Sequence, residues 1–422
     1  MTGGRLVIAD WTGGAARVGV FAHGARGWRP EPPFVVPARI AVGLEREGGP
    51  RVLAGAEAGG VQEDADTLLF EHPVRDLPLM EDAELQDLLL KGFWGAVSRG
   101  LAERGLLRLG EETAGYVVTP HRFPQPLLTS FIAGCAGERP LRLAGCVQEA
   151  AALALGFLRS DDFRREGGAA LTGGACTVCL VAAGDEQTVD VVCFDYAREA
   201  TGIHRVLIRD FFRTACAEVS GRLLECDWLG AFSLLAVAVG DALPESARVA
   251  LEALLPASDG GGTVMRLPAA RAAELKLLGA AHVAFCAAGR APDAEEYDVA
   301  HACHVGLQVD QKHFHPIIDK GAWSQSADFP RPAAQAFRLR GHAGHALRLN
   351  LYGGYSTLVS DAVPLGSTTL WQDELSRLKG SSSALTAVVR MDAPGSGELL
   401  VGVLPENRVL RRQPFTLPGL VT

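Results

Sequence analysis

Residues Arg5–Phe21 read RLVIADWTGGAARVGVF. An apolar strand runs to Asp10, the chain turns through Trp11-Thr12-Gly13-Gly14, and a second strand resumes at Val18-Gly19-Val20-Phe21. Two short strands joined by a Gly-rich turn, with an acid at the bend, make either a plain hairpin or a cradle for phosphate. A cradle needs backbone N–H groups turned into one concavity and glycines that let the anion come close. A second unit of the same kind, CTVCLVAAGDEQTVDVVCF at Cys176–Phe194, stands about 170 residues later. The fold hangs on whether these two units are related.

The segments between them alternate. EDAELQDLLLKGFWGAVSRGLAERG carries Leu85, Leu88, Leu89, Phe93, Val97 and Leu101 at helical spacing and stops at Gly105, which predicts a long amphipathic helix. PARIAVGLE and PRVLAGAEAGG read as short strands with a turn, and GYVVTP as a buried strand stopped by Pro120. EAAALALGFL is Ala-rich and predicts a helix pressed against a sheet. FSLLAVAVGDALPESARVALEALL predicts strand, turn and helix, and AAELKLLGAAHVAFCAAG a further helix. From Val305 onward helical periodicity gives way to short strands between turn signals, such as HVGLQVD, FHPII and GELLVGV, the pattern of a small antiparallel sandwich. The expected boundary lies within 291–304, giving an α/β domain over 1–295 and an all-β domain over 305–422.

Composition narrows the partners. Of 422 residues, 48% are hydrophobic and 21% charged, which suits a chain with sizeable cores. The formal net charge of −9 argues against nucleic acid or an anionic membrane as a partner. Leu6–Ala9 is too short for a secretory h-region, and no apolar run reaches the ~20 residues of a membrane span. Nine cysteines without a framework fit a reducing, cytoplasmic setting.

Several segments resemble, in order, the seventy-kilodalton heat-shock (DnaK-type) chaperones. PARIAVGLEREGGPRVLAGAEAGG resembles their early strands and "lvG-x-x-A" turn, and GYVVTPHRF their AVITVPAYF. LRLAGCVQEAAALALGFL is similar to LRIINEPTAAALAYGL, and AAELKLLGAAHVA to DEAVALGAAVQAA. HVGLQVDQKHFHPIIDKGA, HALRLNLYGG and SALTAVVRMDAPGSGELLVGV look like successive strands of the family's substrate-binding sandwich. The resemblance implies an actin-like (ribonuclease H-like, duplicated) two-lobed ATPase domain followed by a β-sandwich. The chain departs from the family in two ways: it is too short for a full second lobe between VDVVCFDY and FSLLAVAVG, so a reduced lobe is expected, and no helical lid is expected after the sandwich.

Carried over residue by residue, the resemblance assigns a nucleotide site to Asp10, Thr12, Gly13 and Gly14 in the first hairpin, and to Thr188 and Asp190 in the second. Gly240 and Asp241 remain from the adenine-side turn. The cofactor so implied is ATP or ADP with Mg. The second hairpin has Asp185, Glu186 and Gln187 where the family has glycines, and acids beside a triphosphate repel it unless a metal intervenes. The family's lysine is also missing, with only His72 or Arg75 nearby. Weak or absent hydrolysis is therefore expected, and no catalytic residue is assigned. In the sandwich, Leu347 would line a peptide pocket with Leu307, Phe314 and Phe337 nearby, while Asp310 and Arg340 replace an apolar and a small residue. These two charges must face water or pair with each other. The expected role is binding of a polypeptide client or a dedicated protein partner, the alternatives being an active ATPase or small-molecule kinase, or an assembly adaptor.

Two further constellations have simpler readings. Cys176 and Cys179 have zinc or redox spacing, yet residues three apart on a strand point to opposite faces. His301, Cys303, His304, His313 and His315 have ligand chemistry, set against ordinary surface histidines. GFWGAVSRG reads as helix packing.

Overall fold

A computed structural model describes residues 5–24, 27–43, 50–64, 66–107, 113–121, 123–166, 175–184, 188–198, 202–225, 233–238, 249, 263–268, 270–287, 297–301, 303–319, 331–337, 346–354, 357–359, 362–376, 384–393, 396–404 and 408–416. The first region contains β1 (Arg5–Asp10), β2 (Ala15–Gly24), β3 (Gly27–Pro30), β4 (Phe34–Pro37), β5 (Ile40–Gly43), β6 (Arg51–Ala54), β7 (Thr67–Phe70), β8 (Thr113–Thr119) and β9 (Leu141–Gln148). Its main sheet has the order β3-β2-β1-β8-β9, with β4 also on β2, and β5–β7 form a separate three-stranded sheet.

The second region holds β10 (Ala175–Ala183), β11 (Thr188–Arg198), β12 (His204–Ala215), β13 (Leu234–Ala238), β14 (Thr263–Arg266) and β15 (Tyr297–His301), ordered β14-β13-β10-β11-β12-β15. The two sheets share a plan. In each, a leading hairpin pairs antiparallel (β1 with β2, β10 with β11). The leading strand then takes a parallel neighbour, β8 or β13, and a further parallel strand, β9 or β14, closes that edge.

Helices cover both faces of the first sheet. The long helix α1 (Ala83–Glu103) begins where the Asp82 carboxylate accepts the N–H groups of Glu84 (2.9 Å) and Leu85 (3.1 Å), and ends before Gly105 at φ 66°. With α2 (Gln125–Cys135) it covers one face of the first sheet, burying Val7, Ala9 and Val117. The other face, with Leu6, Ile8 and Val118, meets α3 (Glu149–Arg159) and α4 (Ala270–Ala287), on which Val178, Leu180 and Phe194 of the second sheet also pack. Strands covered on both faces explain the unbroken apolar run of β1. The α3–α4 contact is backbone on backbone. A Cβ at Gly156 would lie 1.9 Å from the Leu275 carbonyl oxygen, and one at Gly279 would lie 1.9 Å from that of Ala152. Only glycine permits this approach.

Tyr297–His301, expected as linker, is a strand that pairs parallel with β12 at the sheet edge. The C-terminal region follows with β16 (His304–Gln308), β17 (Phe314–Ile318), β18 (Arg331–Phe337), β19 (Ala346–Gly354), β20 (Ala362–Trp371), β21 (Ala384–Ala393), β22 (Ser396–Leu404) and β23 (Arg408–Thr416). They form two four-stranded antiparallel sheets, β17-β16-β19-β20 and β18-β21-β22-β23. Val305, Leu307, Leu351 and Leu370 of the first join Leu385, Val389, Leu399 and Phe415 of the second in one apolar core. Among the described residues no helix is long and apolar enough to cross a membrane.

Candidate functional site

The ends of the two leading hairpins converge. In the first, Asp10 Oδ1 accepts the Thr12 N–H (3.1 Å) and the Thr12 hydroxyl (2.7 Å), an Asx-type turn that fixes the loop from within. Trp11 points away from the cleft. Its ring stacks on Phe93 of α1, centroids 3.8 Å apart and nearly parallel, and it touches Phe131 of α2. This is the packing expected of GFWGAVSRG, and it pins the turn to both helices. In the second hairpin the Gly184 N–H donates to the Thr188 carbonyl (2.9 Å). Asp185, Glu186 and Gln187 lie outside the described residues, as do Gly240 and Asp241.

Asp190 is fully buried on β11, directly across from Arg213 on β12. Arg213 grips it with two hydrogen bonds, Nε to Oδ1 (2.6 Å) and Nη2 to Oδ2 (3.1 Å). The same guanidinium donates to the Thr12 carbonyl (2.8 Å) and to Glu149 Oε2 (3.0 Å). Lys276, buried on α4, completes the bridge. Its Nζ lies 2.7 Å from Asp190 Oδ2, 2.9 Å from the Thr12 hydroxyl and 3.4 Å from Glu149 Oε2. Glu149 heads α3, and its Oε1 accepts the His121 N–H at 2.9 Å.

Three carboxylates (Asp10, Glu149, Asp190) thus surround two cations, which leaves one net negative charge in a largely buried cluster. The electrostatics follow. Burial works to raise the Asp190 carboxyl, but Lys276 and Arg213 outweigh it and hold it below the ordinary carboxylate range. Burial, helped by the neighbouring Asp190, pushes the Glu149 carboxyl upward against the pull of Lys276 and Arg213. Burial opposes the Lys276 charge, yet Asp190, Asp10 and Glu149 raise its ammonium above the usual lysine value.

Above this network a cleft of about 290 Å³ remains, bounded by Asp10, Thr12 and Gly13 on one side, Ala183 and Gly184 on the other, and Arg213 and Lys276 at its base. That is close to the lower limit for small-molecule sites, ~300 Å³. The arrangement brings together Asp10, Thr12, Gly13 and Asp190 of the sequence-derived set. Its remaining members, Glu149, Arg213 and Lys276, are absent from that set. A lysine on the apolar stripe of AAELKLLGAAHVAFCAAG was the available signal, since a charge there must be paired or cost stability.

In the C-terminal sheets Leu307 is buried in the core and Leu347 is half-buried against it. Phe314 is buried and stacks on Tyr352. Asp310 is exposed in the β16–β17 turn, where its Oδ1 accepts the N–H groups of Lys312 and His313 (both 2.7 Å), which lowers its carboxyl below the usual range. The Phe337 side chain and Arg340 lie outside the described residues.

Cys176 joins the core beside α3 and α4, while Cys179 faces the opposite side of the sheet, as the strand spacing requires, and neither forms a disulfide. Among the described residues no group of three His, Cys, Asp or Glu side chains is placed to hold a metal. No protein-family model matches the chain, and no curated protein is significantly similar to it.

Proposed function

We propose that the chain is a nucleotide-independent scaffold of the actin-like, heat-shock-chaperone type, a pseudo-ATPase whose C-terminal β-sandwich binds an extended polypeptide or a dedicated protein partner. The repeated plan of the two six-stranded sheets supports the duplicated two-lobed reading. The pair of four-stranded sheets around one core supports the sandwich.

The observation that carries the proposal is the position of Lys276. Phosphoryl transfer depends on carboxylates that organise a metal ion and its water against the phosphates. Here the Lys276 ammonium and the Arg213 guanidinium already engage Asp190 and Glu149, and both reach the Thr12 loop. A tethered protein cation takes the role that a divalent ion would have, and it cannot dissociate with product. Titration calorimetry of the full chain with Mg-ATP, paired with phosphate release, tests the reading. No heat and no release are expected. Saturable heat with turnover would overturn it in favour of an active ATPase or small-molecule kinase, the reading that the open cleft beside Gly13 and Gly184 favours. Affinity purification on the full chain then separates a general peptide binder, which recovers many sequences, from an adaptor, which recovers one stoichiometric partner.

A further inference from the structure

Buried polar atoms need partners, and three in the first region have none among the described residues: Trp11 Nε1, Thr119 Oγ1 and Gln148 Oε1. Trp11 and Thr119 are each 1% exposed, and Gln148 is half-buried with its amide oxygen turned inside. The three stand in one row. Asp10 pairs with Val118, and the Trp11 N–H donates to the Val118 carbonyl (3.3 Å), which sets Trp11 beside Thr119. Thr119 is in turn the register partner of Gln148. The three also share a face. Trp11 joins Val117 and Cys146 in the core beneath α1 and α2, and Thr119 and Gln148 follow those two residues by two positions on β8 and β9. The row therefore crosses the C-terminal ends of β1, β8 and β9 on the side of the sheet away from Asp10 and Lys276. A second indole in this core shows the ordinary outcome: Trp94, equally buried, donates its N–H to the Leu141 carbonyl at 3.1 Å.

The chemistry of the row selects its ligand. An indole N–H only donates, an amide oxygen only accepts, and a hydroxyl does either. A cation would be repelled by the indole N–H and an anion by the amide oxygen. A neutral molecule with both functions suits all three. We propose that Trp11, Thr119 and Gln148 bind one ordered water between the ends of β1, β8 and β9. Its oxygen accepts the Trp11 N–H, and its two hydrogens go to Gln148 Oε1 and Thr119 Oγ1, about the number of bonds usual for a buried water. The site has a structural consequence for the charged cluster on the other face. Trp11 precedes Thr12 and Gln148 precedes Glu149, the two residues that Arg213 and Lys276 both engage. The water is a positioning element that ties the first hairpin's turn to the start of α3. It does so whether or not the cleft admits a nucleotide.

Two measurements on the full chain test the site. Water-selective nuclear Overhauser spectra are recorded on the indole N–H signals of the six tryptophans, with Trp11 assigned by the signal lost in Trp11→Phe. A cross-peak between the Trp11 N–H and a long-lived water is expected. Thr119→Val keeps the side-chain shape and separates a hydrated site from a dry one by sign. In a hydrated site it takes a partner from the water and lowers the melting temperature by about 2–4 °C. In a dry site it removes an unsatisfied hydroxyl and raises it. Should the variant not fold, the spectrum of the unaltered chain decides alone. A melting temperature that is unchanged or raised, a Trp11 N–H without a water cross-peak, or a crystal structure in which Trp11 Nε1 donates directly to a protein acceptor would overturn the proposal.

Discussion

The two hairpins have the same strand plan and spend their acids differently. Asp10 turns inward on its own loop, holding Thr12 through both the backbone and the hydroxyl. Asp190 reaches across the molecule, clasped by Arg213 from the neighbouring strand and Lys276 from α4. One acid organises a turn, while the other joins two halves of the structure. Equivalent positions in a repeated architecture need not keep equivalent work, because the charge that faces each is supplied by a distant part of the chain.

The largest test of this contrast is a pair of isosteric changes. Asp190→Asn leaves the largely buried Lys276 and Arg213 short of their best partner and is expected to cost about 3–5 kcal/mol in denaturant unfolding. Asp10→Asn keeps an acceptor for Thr12 and is expected to cost only about 1 kcal/mol. Equal losses would erase the distinction between the hairpins.

Next in size is Lys276→Ala, which removes the tethered ammonium and leaves three carboxylates facing Arg213 alone. A loss of about 3 kcal/mol is expected. Millimolar Mg²⁺ or Mn²⁺ should restore part of it, read as a rise in melting temperature that the unaltered chain does not show. A variant indifferent to both ions would mean that the lysine does not stand in for a metal. Thr12→Val is smaller still, about 1–2 kcal/mol, because it removes one hydroxyl shared by Asp10 and Lys276 and leaves the ion pairs in place.

The pH dependence is the gentlest probe. Asp190 is held below its ordinary value, so its contribution is complete above the unfolded value of 3.8 and is lost as pH falls through the lower folded value. Glu149 has the opposite sign, since its raised carboxyl takes up a proton first in the folded chain, which favours folding as pH drops toward its ordinary value of 4.5. Melting temperature is therefore expected to rise gently as pH falls from neutral toward 4.5 and to drop below 3.8, with the gentle rise removed by Glu149→Gln.

Much of this fold is legible in the sequence because its signals are local. The Asp82 cap and Gly105 bound α1, alternation separates Cys176 from Cys179, and the strand–turn–strand repeat marks both hairpins. What stays hidden is made by distance. Thr12 and Lys276 are 264 positions apart, and neither carries any mark of the other. β15 reads as linker because a parallel edge strand gets its pairing from β12, not from its own pattern. Trp11 reads as bulk within a phosphate turn, whereas its partner Phe93 is supplied by a helix begun more than 70 residues later.

The glycine contact at the centre of the molecule has a mechanical consequence. Gly156 and Gly279 let two helices touch with no side chain between them, so nothing there can compress or shift rotamer when the halves are pushed together. Lys276 sits only three residues from this fulcrum, about 4.5 Å along the helix axis. The distance between α3 and the helix that carries Lys276 is accordingly set by peptide planes in van der Waals contact.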